Sequence, residues 1–276
     1  MTLLQNPLVY NALIVGVSVA IAAALLGVVL VLGNHSLIGH GLADVGFASS
    51  ALGLALGWSP FAVSIPLVAG ASVLILYLSR HKRIGGDAAI GMVATTALAT
   101  GVIITKVSGG FNMDVYNYMF GSLMALRSED VVLALCLLAV VAGAFLLLYN
   151  RLFLLCYDEN HASACGLSMN LYRTLLSVLT GLAVVVGMRL MGALLISSLM
   201  VFPPVTARRL SRSFRGMMGL SALAALLGVC GGIGLSFALD WPAGASIAAV
   251  NAVLLGLGSL AARLTGSRKA SAAQPS

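Results

Sequence analysis

Two residue types that bind metal ions stand one helical turn apart in an otherwise apolar stretch. They are His40 and Asp44, in Ser36-Leu-Ile-Gly-His-Gly-Leu-Ala-Asp44. Four residues apart on a helix, they share one face. An imidazole and a carboxylate facing one cavity make a station for a divalent metal ion. The same pair would also serve as a neutralising ion pair that only packs helices, and the residues alone leave both readings open. Gly39 and Gly41 carry no side chains and are expected to open space around the pair. A charge inside a membrane span costs about 2.5–3.5 kcal/mol on insertion scales, so each one asks for a reason.

Other reactive side chains say less. His35 sits at a helix start, His81 lies in Arg80-His-Lys-Arg83, and His161 falls in a polar loop. Asp87 opens an apolar run, where a carboxylate suits a helix N-terminus. The 11 methionines are scattered and read as gap fillers between helices rather than copper ligands. The 4 cysteines form no CxxC pair and read as packing residues. The chain has no G-x-x-x-x-G-K-[ST], so it cannot hydrolyse ATP through a P-loop. It has no HExxH or GxSxG either, which leaves hydrolase chemistry without support.

The elements that position His40 and Asp44 must live in lipid. Of 276 residues, 60% are hydrophobic and 8% charged, with mean hydropathy +1.06. Soluble domains carry about 25% charged residues. Such a chain cannot cover a globular surface with polar groups, which excludes a soluble enzyme and a nucleic-acid binder. Apolar runs at about 12–32, 36–57, 60–79, 88–107, 130–149, 171–188, 190–206, 217–239 and 244–263 read as spans. All are expected to be helices, because a lone helix satisfies its own backbone in lipid. The fold class is therefore an all-α, polytopic membrane protein of about nine spans. The count falls to eight if 171–188 and 190–206 are one broken helix. A single membrane domain fills residues 1–264, and 265–276 is expected to be a disordered cytoplasmic tail. The amphipathic segment Phe111–Leu126 is placed at the outer surface or in a protein-lined cavity. Met1–Tyr10 lacks a basic n-region, so the first run is expected to stay as a span. The pairs Gly53-x-x-x-Gly57 and Gly228-x-x-x-Gly232 suit close helix packing.

Charge sets the orientation. Net charge is +7. Alternating nine spans puts Arg80, Lys82, Arg83, Arg151, Arg173, Arg208, Arg209, Arg212, Arg215, Arg263, Arg268 and Lys269 on one side, and only Lys106, Arg127 and Arg189 on the other. That bias makes the first side cytoplasmic, with the N-terminus outside and the C-terminus inside. His40 and Asp44 then lie in the inner half of their helix, Asp44 about 12 Å from its start at about 1.5 Å per residue. On the same side, the loop Arg151–Arg173 holds Tyr157-Asp-Glu-Asn-His-Ala-Ser-Ala-Cys-Gly-Leu167. Asp158 and Glu159 start a short helical stretch and Gly166 ends it. That shape suits docking of a cytoplasmic partner, or an ordinary structured loop.

Taken together, residues 8–262 resemble the permease subunits of the bacterial zinc/manganese ABC importer family. Ser36 to Asp44 is similar to the family's S-L-x-G-D-A-L-x-H-A motif. Phe120-Gly-Ser-Leu-Met-Ala-Leu followed by Glu129-Asp130 is similar to its F-G-x-L-L-A-x-x-x-x-D segment. Tyr157-Asp-Glu through Ala162 to Gly166-Leu167 resembles its coupling segment. Met191 to Arg209 resembles its G-x-L-L-x-x-x-L-L-I-x-P-A-A-x-A-R run, and Pro242-Ala-Gly its late P-x-G. Two departures stand out. The family has aspartate first and histidine second, whereas here His40 precedes Asp44; Thr95 stands where some zinc-type members have histidine.

The resemblance implies a fold like type II ABC importer permeases, in the bacterial inner membrane. It implies a non-enzymatic subunit that pairs with a second permease copy, the simplest arrangement being a homodimer. A separate ATP-binding subunit would dock around Asp158, Glu159, Ala162, Gly166 and Leu167, and an extracytoplasmic binding protein would deliver the cargo. His40 and Asp44 would bind a zinc or manganese ion in passage, with no permanently bound cofactor. A metal chelate or organic cofactor as cargo, and a stand-alone secondary transporter, are the alternatives.

Overall fold

The computed structural model describes residues 7–79, 85–108, 126–157, 169–211 and 213–272. Among the described residues there are nine helices and no strands. They are α1 (Pro7–Leu32), α2 (Ile38–Ala55), α3 (Pro60–Ser79), α4 (Gly86–Val107), α5 (Ser128–Tyr157), α6 (Met169–Met191), α7 (Ala193–Leu210), α8 (Phe214–Leu239) and α9 (Ala243–Ala272). The all-α expectation holds. Helix α9 continues through residues 265–272, into the segment expected as a tail. The docking loop with Asp158, Glu159, Ala162, Gly166 and Leu167 lies outside the described residues, as do His81, His161, Cys165 and nearly all of Phe111–Leu126.

Helix α1 is the hub. Its most apolar stretch is 78% buried inside the protein, against 22% for α3, α4, α5 and α9. It packs against α5, α6, α7 and α8. Lipid tails are as apolar as leucine, so burial alone does not hold these helices together; close packing does. Small residues in α1 allow it. A Cβ on Gly27 would sit 2.2 Å from the Met200 carbonyl oxygen of α7. Pro204 explains why that carbonyl faces out. Proline has no N–H to donate back to Met200 four residues earlier, so α7 offers a free carbonyl where α1 comes closest.

Spans 171–188 and 190–206 are two helices with one residue between them. Gly192 has φ 90°, a conformation open to glycine and costly for other residues. Its N–H donates to Met188 O at 2.9 Å. The chain turns so sharply there that a Cβ on Gly187 would meet Ile196 Cδ1 at 2.4 Å. The two glycine pairs behave differently. Gly232 lets α8 reach the Ile247 backbone of α9, with 2.4 Å from its would-be Cβ to Ile247 Cα, and Gly228 abuts Asn251. Gly57 packs against nothing; it is the turn residue after α2, with φ 70°. Trp58 and Trp241 sit in the turns after α2 and α8, exposed as interfacial tryptophans are.

Among the described residues, eight helices are long and apolar enough to cross a membrane. The ninth, α2, carries His40 and Asp44 among its 18 residues and is buried through Gly39, Gly41, Ala43, Gly46, Ser49, Ser50 and Gly53. It is clad by α3, α4, α6 and α7, so its serines Ser49 and Ser50 face protein.

Candidate functional site

Helix α2 starts from a tight turn after α1. Asn34 takes the left-handed conformation at φ 58°, and the His35 N–H donates to Leu30 O at 2.8 Å. The turn hands the chain into α2 so that three faces of its first turns are distinct. Gly39 faces α7, where a Cβ would lie 2.8 Å from Met200 Sδ. Gly41 faces α4, where a Cβ would lie 2.8 Å from Ile90 Cγ2. The expectation that these glycines open a cavity is corrected: neighbouring side chains fill their space. They let α7 and α4 close on two flanks of α2. The third face carries His40, which is exposed, and Asp44, which is half-buried.

Among the described residues, neither His40 nor Asp44 makes a hydrogen bond or an ion pair. The two side chains feel each other's charge one turn apart without touching, which leaves the imidazole nitrogens and carboxylate oxygens available to a cation. One chain supplies two such donors. No group of three or more potential metal-ligating side chains exists among the described residues. Thr95 is exposed on α4 and its hydroxyl donates to Gly91 O at 2.7 Å, within its own helix.

Sequence reasoning missed the polar contacts that hold α2 in place. Ser49 Oγ donates to Ser64 Oγ of α3 at 2.8 Å, and Ser50 Oγ lies 3.0 Å from the same oxygen. All three serines are buried. Hydroxyl contacts of this kind lock helices in lipid; the available signal was three hydroxyls inside two consecutive apolar runs. A second missed contact lies one turn away along α3. Arg189 of α6 pairs with Asp130 of α5 at 3.5 Å and stacks over Phe61 of α3 at 4.8 Å. The cysteine expectation is also revised. Cys136 and Cys230 are free and exposed rather than packed inside.

His35 differs from the pair. Its Nδ1 is buried without a hydrogen-bond partner, pressed against Gly86 at the start of α4. Burial chiefly, with Arg173 adding, pushes its pKa down from 6.5, and Asp87 partly opposes them. The unfolded chain therefore binds a proton more readily. Stability from neutral His35 is present above its unfolded pKa and is lost as pH falls through the lowered folded value. Melting temperature in detergent is expected to drop between about pH 7.5 and about pH 5.5. His35→Gln should flatten part of that drop, and an unchanged profile would contradict this reading.

The fold and the site now stand beside known proteins. The description "ABC 3 transport family" matches residues 5–262. The chain is 27% identical over 247 residues to the high-affinity zinc uptake system membrane protein ZnuB of Haemophilus influenzae, covering 90% of this chain and 95% of that protein. It is 32% identical to the manganese transport system membrane protein MntB of Synechocystis sp., over 90% of this chain and 82% of that one. Among solved structures it is similar to PsaBC from Streptococcus pneumoniae in complex with a Fab, with TM-score 0.82, 27% identity and 92% of each chain covered. The family match spans residues 5–262 and so takes in α2 with His40 and Asp44. This chain therefore belongs to the ABC 3 transport family.

Proposed function

We propose that this chain is the membrane-spanning subunit of an ATP-driven importer of a divalent metal ion, zinc or manganese. The observation that carries the proposal is the unpaired His40 and Asp44 on the open face of α2. An ion entering there would exchange part of its water shell for an imidazole and a carboxylate. Two donors bind loosely, and loose binding suits a path from which the ion must also leave. A second copy of the chain would bring the same two donors and complete a four-ligand set, the number zinc favours. Imidazole suits both metals, and the carboxylate tilts the site modestly toward manganese. The relatives' printed names, a zinc uptake protein and a manganese transport protein, support that cargo class.

The other parts are those that the family resemblance implies. Without a P-loop it needs ATP hydrolysis on a separate cytoplasmic subunit, docked at Asp158, Glu159, Ala162, Gly166 and Leu167. An extracytoplasmic binding protein delivers the ion. The protein sits in the bacterial inner membrane, N-terminus outside and C-terminus inside, and holds no permanent cofactor. The test is uptake of zinc or manganese into proteoliposomes containing the permease and its ATPase. Uptake should stop when that ATPase is inactivated; uptake at full rate without it overturns the proposal.

A further inference from the structure

Helices α5 and α8 both pack on α1, but between them a groove of about 610 Å³ stays open. They meet at one end through Phe214, whose ring lies 5.5 Å from that of Tyr149 and 5.8 Å from that of Phe153. Beyond that contact the groove is walled by Ala142 and Phe145 and reaches Leu25 of α1. Leu146, also on its wall, and the adjacent Leu147 are over four-fifths exposed, so the groove opens to the bilayer. The polar lining is confined to one end: Arg215, Asn150 and the Tyr149 hydroxyl.

Arg215 is the unusual member. Its guanidinium lies over the Tyr149 ring at 5.1 Å. Among the described residues it has no ion pair. It stands in the first turn of α8, whose end Ser213 caps by accepting the Gly216 N–H at 3.1 Å. The helix dipole adds positive potential there. This end of the bundle is the arginine-rich one, where anionic headgroups of the cytoplasmic leaflet lie. A guanidinium offers a planar fork of donors that matches phosphate oxygens. An apolar groove under an unpaired cation therefore complements a molecule with an anionic head and hydrocarbon tails.

We propose that the groove between α5 and α8 binds an anionic phospholipid, its phosphate at Arg215 and Asn150 and an acyl chain along Ala142, Phe145 and Leu25. The site is separate from the candidate metal site, because α2 does not line it. The cation–ring stack holds Arg215 at the headgroup level, so the lipid is gripped at its phosphate rather than along its tails.

Native mass spectrometry of the full chain in mild detergent tests this, with phosphatidylglycerol or phosphatidylcholine added. The wild type should retain phosphatidylglycerol preferentially. Arg215→Gln should lower that retention about fivefold, to the phosphatidylcholine level. Arg209→Gln, an equal loss of charge at an exposed residue outside the groove, should leave it unchanged. Ala142→Phe, which fills the apolar end, should reduce retention of both lipids without changing the oligomeric mass. Size-exclusion profiles matching the wild type show that the variants are folded. Three results overturn the proposal: equal losses in Arg215→Gln and Arg209→Gln, equal retention of the two lipids by the wild type, or dissociation of a dimer by Ala142→Phe. The last would make a second copy the occupant.

Discussion

Replacing either His40 or Asp44 by alanine is expected to lower ATP-driven metal uptake at least about 10-fold. Loss of even an outer partner of a metal ligand costs about 10–100-fold in affinity or activity, and here a donor itself is removed. Folding should be spared. His40 is exposed, Asp44 is half-buried, and neither has a hydrogen bond or ion pair among the described residues, so truncation strands no partner. The expected signature is thus lost transport with unchanged melting temperature and unchanged association with the ATPase. A packing ion pair would give the reverse pattern, with stability falling and uptake tracking the folded fraction. The double exchange His40→Asp with Asp44→His separates ligand type from ligand order. Both donors stay on one face of α2, so uptake should persist while the preference between zinc and manganese shifts.

The second large effect is structural. Gly27→Ala places a Cβ 2.2 Å from the Met200 carbonyl oxygen. That atom is backbone, in a helix wedged between α1, α8 and α9, and it cannot rotate away as a side chain would. Overpacking ordinarily costs about 1–3 kcal/mol, and a backbone collision at the central helix belongs at or above the top of that range. Gly70→Ala is the control. Nothing lies within 4 Å of its would-be Cβ, and alanine suits a helix better than glycine by about 1 kcal/mol. Melting temperatures in detergent should therefore fall sharply for Gly27→Ala and hold or rise for Gly70→Ala. A neutral Gly27→Ala would mean that α1 and α7 do not approach as described.

How far the sequence carried these conclusions differs from residue to residue. Long apolar runs made all nine of these helices plain, because apolarity is the one property lipid demands. His40 and Asp44 then singled out α2 by breaking the apolar pattern at a helical spacing. What the sequence could not give was the use of the glycines. Gly39 and Gly41 promised open space around the pair, yet Met200 and Ile90 occupy it, and those residues come from α7 and α4, far along the chain. Gly57 fits a packing motif and serves as a turn. The packing value of a glycine depends on which distant backbone meets it, and spacing along one helix says nothing of that. Ser49, Ser50 and Ser64 were overlooked for a similar reason. Each looks unremarkable within its own apolar run, and their meaning appears only when α2 and α3 lie side by side.

The proposal that His40 and Asp44 carry the ion is tested most directly by one measurement. Proteoliposomes holding the permease, its ATPase and the binding protein would be loaded outside with zinc or manganese. ATP-driven uptake would be compared between the wild type and the His40→Ala/Asp44→Ala double variant, at equal amounts of folded complex. The expected result is uptake in the wild type and only background in the double variant. Equal uptake by both would contradict the assignment of the metal path to this face of α2.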